Sequence, residues 1–196
     1  SVTYVRPADH SRPRACDPVF AAWEKAGYRT DALTWQRIEL AMEAGEWRLA
    51  EYLGRKLPNS ERVWLKRWTR LYRNPRHVTD HKRYQDPHPY REAMLSHAVL
   101  RLARWDGLDA LETWQSIEGR YPFTEAQITR TEHYIVRNLV RVSDDKAYTF
   151  VRGVAVENGD LKVHEARIRT ALLREDWPQV VAWIEALPCE DRRSER

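Results

Sequence analysis

Apolar residues recur every three or four positions along most of the chain, which places them on one face of an α-helix. The clearest case is residues 37–58, RIELAMEAGEWRLAEYLGRKLP. Its apolar stripe comprises Trp47, Ala50, Leu53 and Leu57. Gly45 tolerates the left-handed conformation found just past a helix, and Pro58 cannot continue one. The pattern therefore predicts two helices joined at Gly45.

The same pattern returns in residues 167–188, RIRTALLREDWPQVVAWIEALP, 130 positions later and without a gap. The six identities in these 22 positions pair Arg37 with Arg167, Ile38 with Ile168, Ala41 with Ala171, Trp47 with Trp177, Leu57 with Leu187 and Pro58 with Pro188. The matching stripe is Trp177, Val180, Ile184 and Leu187. A helical hairpin cannot bury its own apolar face, so its repetition indicates a stack of hairpins.

The rest of the chain also reads as helices joined by short connections. In the first part of the chain we predict a helix from Asp17-Pro18 to Gly27, one from Asp31 to Gly45, one over 47–57, one capped by Asn59 or Ser60 and ending at Asn74-Pro75, and a short one at 75–83. Helices over 90–104 and 107–119 follow, then one from the Thr124/Gln127 capping box to about Val142 and one capped by Ser143 and ending near Val156. After a turn at Asn158-Gly159, the last predicted pair is 161–175 and 177–187. The predicted inward faces include Val63, Trp64, Trp68 and Leu71, Met94, Ala98, Leu102 and Trp105, and Leu108, Leu111 and Trp114.

Only 7 residues are glycine and alternating runs are scarce, so we predict an all-α fold: a right-handed superhelix, or solenoid, of stacked hairpins. We expect an extended segment over 1–14, one solenoid-like unit over 15–190 rather than two globules, and the truncated start of a further helix over 191–196. No apolar run is long enough to span a membrane. The chain begins SVTYVRP, without methionine or a visible signal peptide, which suggests a mature or excised piece.

Charge and thiol content narrow the chemistry only a little. The 33 basic and 29 acidic residues give a net charge of +4, a mixed surface more typical of solvation than of nucleic-acid binding. Cys16 and Cys189 are too few for a disulfide framework or a zinc ribbon. Whether they pair with each other, pair with other cysteines or stay free is left open by the sequence.

Several elements carry a family resemblance. Ala15, Cys16 and Asp17 are followed by Phe20 and Trp23, then by a helix ending in Ala41, Met42, Ala44 and Gly45, and by another ending in Leu57-Pro58. In these elements the chain resembles the N-terminal superhelical region, the U-domain, of the soluble lytic murein transglycosylases of Gram-negative bacteria. Asn74-Pro75 and the second hairpin sequence also match, and over 76–160 the match lies more in helix order than in residues.

The resemblance implies a role in the cell wall. Enzymes of that family cleave the β-1,4 bond between N-acetylmuramic acid and N-acetylglucosamine and leave a 1,6-anhydro end. Their glutamate acid and base lies in a lysozyme-like domain with Glu-Ser, G-L-M-Q and N-A-G-P elements, none of which occurs here. The resemblance also implies a periplasmic location, and a bridge from Cys16 to a cysteine in preceding helices that this sequence lacks.

Two other patterns suggest binding chemistry. His77 and His81 would share a helical face, with His88, Asp80 and Asp86 nearby, as in metal sites. We interpret them instead as a polar surface.

Basic and aromatic residues interleave in Arg62, Trp64, Lys66, Arg67, Trp68, Arg70, Tyr72, Arg73 and Arg76. Helical spacing separates the aromatic residues from most of the basic ones, so we predict a buried aromatic stripe with a solvated basic back.

We therefore expect a non-catalytic scaffold portion of a transglycosylase that helps form a ring, embraces glycan strands or docks partner proteins. We assign no catalytic, cofactor-binding or metal residues, and interpret the acidic pairs Asp144-Asp145 and Glu175-Asp176 as helix-start residues. Expected partners are peptidoglycan strands and cell-wall proteins, with self-association through the solenoid ends and no nucleic acid. The alternatives are a tetratricopeptide-like adaptor and a nucleic-acid-binding helical repeat.

Overall fold

A computed structural model describes residues 30–156 and 160–187, and within these ranges all regular structure is helical. The elements are α1 (Asp31–Glu43), α2 (Trp47–Gly54), α3 (Asn59–Arg73), two 3₁₀ helices (Pro75–Thr79 and His81–Tyr84), α4 (Arg91–Ala103), α5 (Gly107–Ile117), α6 (Glu125–Asn138), α7 (Asp145–Gly153), α8 (Leu161–Leu173) and α9 (Trp177–Glu185). The predicted helix from Asp17 to Gly27, the turn at Asn158-Gly159, both cysteines and the predicted domain limits lie outside the described residues. Those expectations stay predictions.

The chain divides into two compact units, with the boundary between Arg73 and Asn74. In the first unit, α1 packs on α2 and α2 packs on α3. Trp35 of α1 and Trp68 of α3 stack with ring centroids 6.4 Å apart, and the Trp35 indole donates to Glu61 Oε2 at 2.5 Å. Trp68 is fully buried, so this aromatic pair forms the centre of the unit's core.

The first hairpin, formed by α1 and α2, turns at Gly45 as the sequence predicts. Gly45 has φ +84°, a left-handed conformation that suits a residue without Cβ. Gly45 N donates to Met42 O at 3.1 Å, and Glu46 N donates to Ala41 O at 2.8 Å. These two hydrogen bonds satisfy carbonyls at the end of α1, as in a Schellman motif.

In the second unit, α4 packs on α5 and α6, and α8 packs on α6, α7 and α9. The second hairpin is formed by α8 and α9, and its turn reproduces the first. Glu175 N donates to Leu172 O at 3.1 Å, and Asp176 N donates to Ala171 O at 3.0 Å. Glu175 has φ 56°, so it adopts the left-handed conformation of Gly45 despite carrying a side chain. The predicted repeat is thus present in the backbone as well as in the sequence.

Short polar side chains set most helix starts. Thr124 accepts from Gln127 N at 3.3 Å while Gln127 Oε1 accepts from Thr124 N at 3.0 Å, which confirms the predicted capping box. The predicted cap at Ser143 is wrong, because Asp144 accepts from Ala147 N at 2.8 Å instead. The predicted cap at Asn59 or Ser60 is also wrong, because Arg62 N already donates to Pro58 O at 3.0 Å.

Several helix ends and faces differ from the prediction. Helix α6 ends at Asn138 rather than Val142, and the side-chain amide of Asn138 donates to Tyr134 O at 2.8 Å in the last turn. Helix α7 ends at Gly153 rather than near Val156, and residues 75–83 form 3₁₀ turns. Val63 is 48% exposed because it is adjacent in sequence to Trp64 and cannot share its narrow stripe.

Two tryptophans predicted to face inward are instead exposed. Trp105 is 65% exposed, because it lies beyond the last residue of α4, where helical spacing no longer directs it. Trp177 is 60% exposed at the start of α9, whereas Val180 and Leu187 of the same predicted stripe are buried. The second hairpin therefore presents an apolar surface that its sequence pattern assigned to the core.

Candidate functional site

The basic and aromatic residues of α3 separate as the sequence predicts. Trp64, Trp68 and Leu71 are buried, while Lys66, Arg70 and Arg73 are exposed. The guanidinium of Arg67 lies 4.2 Å from the centre of the Trp64 ring. Arg73 lies 4.8 Å from the centre of the Trp47 ring and 3.6 Å from a carboxylate oxygen of Glu51. These charges and rings bind each other within the unit, and the aromatic stripe serves the core.

The three histidines of the metal pattern contact separate partners. The Asn74 amide lies 3.4 Å from His77 Nε2, and the Tyr121 hydroxyl lies 3.4 Å from His81 Nδ1. His88 Nδ1 accepts from Tyr90 N at 3.2 Å. Burial, together with the charge of Arg120, lowers the pKa of His81. Over residues 30–156 and 160–187, no group of three or more His, Cys, Asp or Glu side chains could hold a metal ion.

The acidic pairs lie at helix starts and connections, as predicted. Asp144 caps α7, and Asp145 forms an ion pair with Arg174. Asp176 accepts from Gln179 N at 3.3 Å and from the Tyr148 hydroxyl at 2.7 Å. Burial and this hydrogen bond raise the pKa of Tyr148 to about 12, and the same bond lowers the pKa of Asp176. These carboxylates therefore fasten α7 to the second hairpin.

One buried polar cluster has no counterpart in the sequence analysis. His133 of α6 is 8% exposed, with Nδ1 3.0 Å from Asp160 Oδ2 and Nε2 2.9 Å from Ala155 O. Both ring nitrogens thus lie within hydrogen-bonding distance of an oxygen atom, one on a side chain and one on the backbone. The partners lie 27 and 22 residues away, which is why no local spacing reveals them. The cluster ties α6 to the segment before α8.

Burial shifts the pKa values of two further ionisable groups, Glu132 and Arg167. Burial raises the pKa of Glu132, and the neighbouring Glu118 carboxylate adds to the effect. A carboxyl with a raised pKa is what acid catalysis requires, so Glu132 is the acidic residue to test. Burial lowers the pKa of Arg167, which is 8% exposed. Its guanidinium lies 4.6 Å from the centre of the Trp183 ring and donates to Arg152 O at 3.2 Å.

None of the helices in the described ranges is both long enough and apolar enough to cross a membrane. The residues described thus build helical hairpins whose polar groups mostly cap helices or bind one another. The geometry defines an all-α protein of helical hairpins.

Comparison with known proteins finds relatives that are similar to this chain. No family model matches the chain. The chain is 25% identical over 187 residues to the soluble lytic murein transglycosylase of Escherichia coli K12, and 24% identical over 186 residues to that of Salmonella typhimurium. Each match covers 94% of this chain but 29% of the relative, so the chain spans less than a third of the length of the curated relatives it matches.

Solved structures show the same fold. An inactive mutant of the lytic transglycosylase Slt of Pseudomonas aeruginosa matches 92% of this chain with a TM-score of 0.80 and 25% identity, over 29% of its own length. The 70-kDa soluble lytic transglycosylase of Escherichia coli matches 94% of this chain with a TM-score of 0.74 and 24% identity, over 30% of its own length. The chain is similar to a segment of these soluble lytic transglycosylases, which confirms the resemblance and the all-α fold class.

Proposed function

We propose that this chain is a non-catalytic, structural segment of a peptidoglycan lytic transglycosylase. The observation that carries the proposal is the extent of the match, which takes in 94% of this chain and 29% of the relative. A segment of that size, built of helical hairpins, fits a scaffold on which another part of the enzyme acts. The expected parent reaction is cleavage between N-acetylmuramic acid and N-acetylglucosamine with formation of a 1,6-anhydro end.

The use of polar side chains supports a scaffold. Asp106 accepts from the amides of Leu108 and Asp109 at 3.1 and 3.0 Å and so starts α5. Asp160 starts α8 and also bonds to His133. Carboxylates engaged in this way stabilise helix ends and connections rather than facing an open cleft. Glu132 is the exception to test, because burial raises its pKa.

The surroundings of the chain follow from the same proposal. Its compartment would be the periplasm, and its partners would be peptidoglycan strands reached through the parent enzyme, together with cell-wall proteins. Arg–aromatic pairs at the surface, such as Arg101 5.3 Å from the centre of the exposed Trp105 ring, offer stacking and charge to a glycan with acidic groups. Self-association through exposed helical faces is a further part of the proposal.

Digestion of peptidoglycan sacculi tests the absence of catalysis. The purified chain is incubated with sacculi, and soluble products are analysed by mass spectrometry, with a full-length soluble lytic transglycosylase as positive control. We expect no anhydro-muropeptides above the level of the no-protein control. Release of anhydro-muropeptides that is abolished by Glu132→Gln would show an active site in this chain and overturn the proposal.

Sedimentation with sacculi tests the structural role separately. The chain and its Trp105→Ala variant are mixed with sacculi, and the bound fraction is measured after centrifugation. Binding of the chain that is weakened in the variant supports direct contact with glycan through this surface. Equal sedimentation of both proteins would show that Trp105 does not contribute to glycan binding. The digestion experiment would remain the test of catalysis.

A further inference from the structure

Two buried side chains of α8, His164 and Arg167, carry nitrogen atoms that are not used within the fold. His164 is 5% exposed and Arg167 is 8% exposed. They are three positions apart in one helix, so they are neighbours on the same face. Neither ring nitrogen of His164, nor Nε of Arg167, makes a hydrogen bond to any atom of residues 30–156 and 160–187. Burying three such atoms is costly unless a ligand binds them.

The positive charge of Arg167 is not balanced by a carboxylate. Its guanidinium donates to Arg152 O at 3.2 Å through Nη2 and lies 4.6 Å from the centre of the Trp183 ring. Burial alone lowers its pKa, so no carboxylate in the described ranges lies near enough to raise it. By contrast, Arg91, whose side chain is 11% exposed, lies 2.5 Å from a carboxylate oxygen of Glu92. Buried charges are normally paired, so the ligand at Arg167 should be negatively charged.

The first hairpin has no such cluster at the matching positions. Thr34 takes the place of His164, and its hydroxyl donates to Thr30 O at 3.0 Å, so it is satisfied locally. Arg37 takes the place of Arg167 and is exposed to solvent. The two hairpins nevertheless turn through the same backbone hydrogen bonds. The backbone of a hairpin therefore does not require the buried cluster, which is a separate feature of the second copy.

We propose that His164 and Arg167 bind one small monovalent anion, with chloride as the ligand. Arg167 donates to the ion through Nε, and His164 donates through one ring nitrogen, since an imidazole carries an N–H in either charge state. When the ring is neutral, its other nitrogen accepts from a water molecule beside the ion. A single negative charge balances the single charge of the guanidinium. The three nitrogen atoms are screened from solvent, which excludes a glycan or peptide carboxylate as the ligand.

The bound ion would stabilise the packing of α8 on α7. Arg152 O, which accepts from Arg167, belongs to α7, and α8 packs on that helix. A ligand that binds only the folded chain raises the free energy of unfolding as its concentration increases. Stability should therefore depend on which anion is present, even when the ionic strength is held constant.

Thermal unfolding in two salts provides the first measurement. Sodium methanesulfonate is replaced stepwise by sodium chloride, at a constant ionic strength of about 0.3 M, and Tm is followed by circular dichroism. Methanesulfonate has the same charge as chloride but is too large to be enclosed. We expect chloride to raise Tm of the 196-residue chain by about 2–5 °C and the rise to saturate.

Variants assign this rise to the buried cluster. Arg167→Met keeps an unbranched side chain without its charge, and His164→Thr copies the arrangement of Thr34 in the first hairpin. Each should abolish the chloride-dependent rise in Tm. Arg37→Met is the matched control, because Arg37 is the exposed counterpart of Arg167, and it should keep the full rise. The two salts are compared within each variant, so a general loss of stability does not imitate the expected result.

Bromide locates the ion directly. In crystals of the chain grown with sodium bromide, we expect an anomalous difference peak within hydrogen-bonding distance of Arg167 Nε and the His164 ring. A water molecule at the same place would give no such peak. The Arg167→Met variant should lose the peak, whereas the Arg37→Met variant should keep it.

Three results would overturn the proposal. Equal Tm values in chloride and methanesulfonate would show that the folded chain does not bind chloride selectively. A chloride-dependent rise that persists in Arg167→Met and His164→Thr would place the ion elsewhere. Density without an anomalous peak beside Arg167 would assign the site to water alone. Digestion of sacculi measures a different property, so this proposal and the scaffold function fail or stand independently.

Discussion

The first and second hairpins have the same turn and different neighbours. Each turn places one residue in the left-handed conformation, Gly45 at φ +84° and Glu175 at φ 56°, and each makes the same two backbone hydrogen bonds. The first hairpin is covered by α3, whereas the matching face of the second is exposed. Backbone hydrogen bonds therefore fix the turn, while the covering helix decides which side chains become core.

The largest change in the free energy of unfolding should come from removing a tryptophan in the core formed by α3 and α1. Trp68→Ala removes a fully buried ring that stacks on Trp35, and should lower the free energy of unfolding by about 3–5 kcal/mol. Trp177→Ala removes a ring that is 60% exposed and should change it by less than about 1 kcal/mol. Urea unfolding followed by circular dichroism measures both, and similar losses for the two variants would contradict the difference in cover.

The contact between Gly54 and Leu65 tests how closely α3 is seated. Gly54→Ala adds a methyl group 2.0 Å from Leu65 Cδ2 and should cost about 1–3 kcal/mol in the free energy of unfolding. Leu65→Ala alone should also destabilise because Leu65 is buried, but the double variant should lose less than the sum of the two single changes, because the colliding atom is gone. Gly153→Ala is the control, since nothing lies within 4 Å of the added Cβ. A double variant as unstable as the sum of its single changes would argue against the collision.

The arginine that matches between the two hairpins, Arg37 in the first and Arg167 in the second, should contribute differently to stability. Arg167 is 8% exposed and stacks on Trp183, so Arg167→Ala should cost about 1–2 kcal/mol through lost packing and cation–π attraction. Arg37 is exposed at the same repeat position, and Arg37→Ala should stay within about 0.5 kcal/mol. Thermal unfolding of the two variants compares them directly, and a larger loss for Arg37→Ala would reverse the assignment.

The turn residue itself should have a smaller effect of opposite sign in the two hairpins. Gly45→Ala introduces a Cβ at φ +84° and should destabilise by about 1 kcal/mol. Glu175→Gly relieves the same strain at φ 56° and should stabilise by about 0.5 kcal/mol, after the added freedom of the unfolded chain is counted. Destabilisation by Glu175→Gly in urea unfolding would mean that the Glu175 side chain contributes more than the strain it carries.

The smallest expected effect concerns the starts of α2 and α9. Asp176 caps α9, whereas its counterpart Glu46 makes no capping hydrogen bond from its side chain. Because the Tyr148 hydrogen bond lowers the pKa of Asp176, its contribution should be complete above the ordinary pKa of 3.8 and be lost as pH falls through the lower folded value. Asp176→Ala should therefore lower Tm at pH 7, and this loss should shrink as pH falls below 3.8. Glu46→Ala is the control, because it removes no capping hydrogen bond. A pH-independent loss would exclude the carboxylate as the cause.

Much of the helical architecture could be predicted because its signals are local. The spacing of Trp64, Trp68 and Leu71, the glycine at position 45 and the Thr124/Gln127 box each act within two turns of helix. Sequence patterns mislead where a neighbouring element determines whether a side chain is buried. Trp177 has the apolar spacing of a core residue, and only the cover found on Trp47 and missing on Trp177 distinguishes them.

The surroundings of His133 and Glu132 are hard to predict from sequence, because they too depend on neighbouring elements. His133 meets Asp160 and Ala155 across 27 and 22 residues, so its environment depends on how α6 packs beside α8. The raised pKa of Glu132 depends on burial and on Glu118, which belongs to another helix connection. The three histidines at 77, 81 and 88 show the reverse case, in which suitable sequence spacing leads to three separate hydrogen-bond partners.

The left-handed turn at Glu175 has a consequence for detecting such repeats. A search profile that requires glycine at the turn would find the copy at Gly45 and reject the copy at Glu175, although the two backbones follow the same path. Torsion angles and turn hydrogen bonds therefore diverge more slowly here than residue identity. Ancestral duplications in helical proteins of this kind are better recognised by comparing backbone turns than by counting conserved letters.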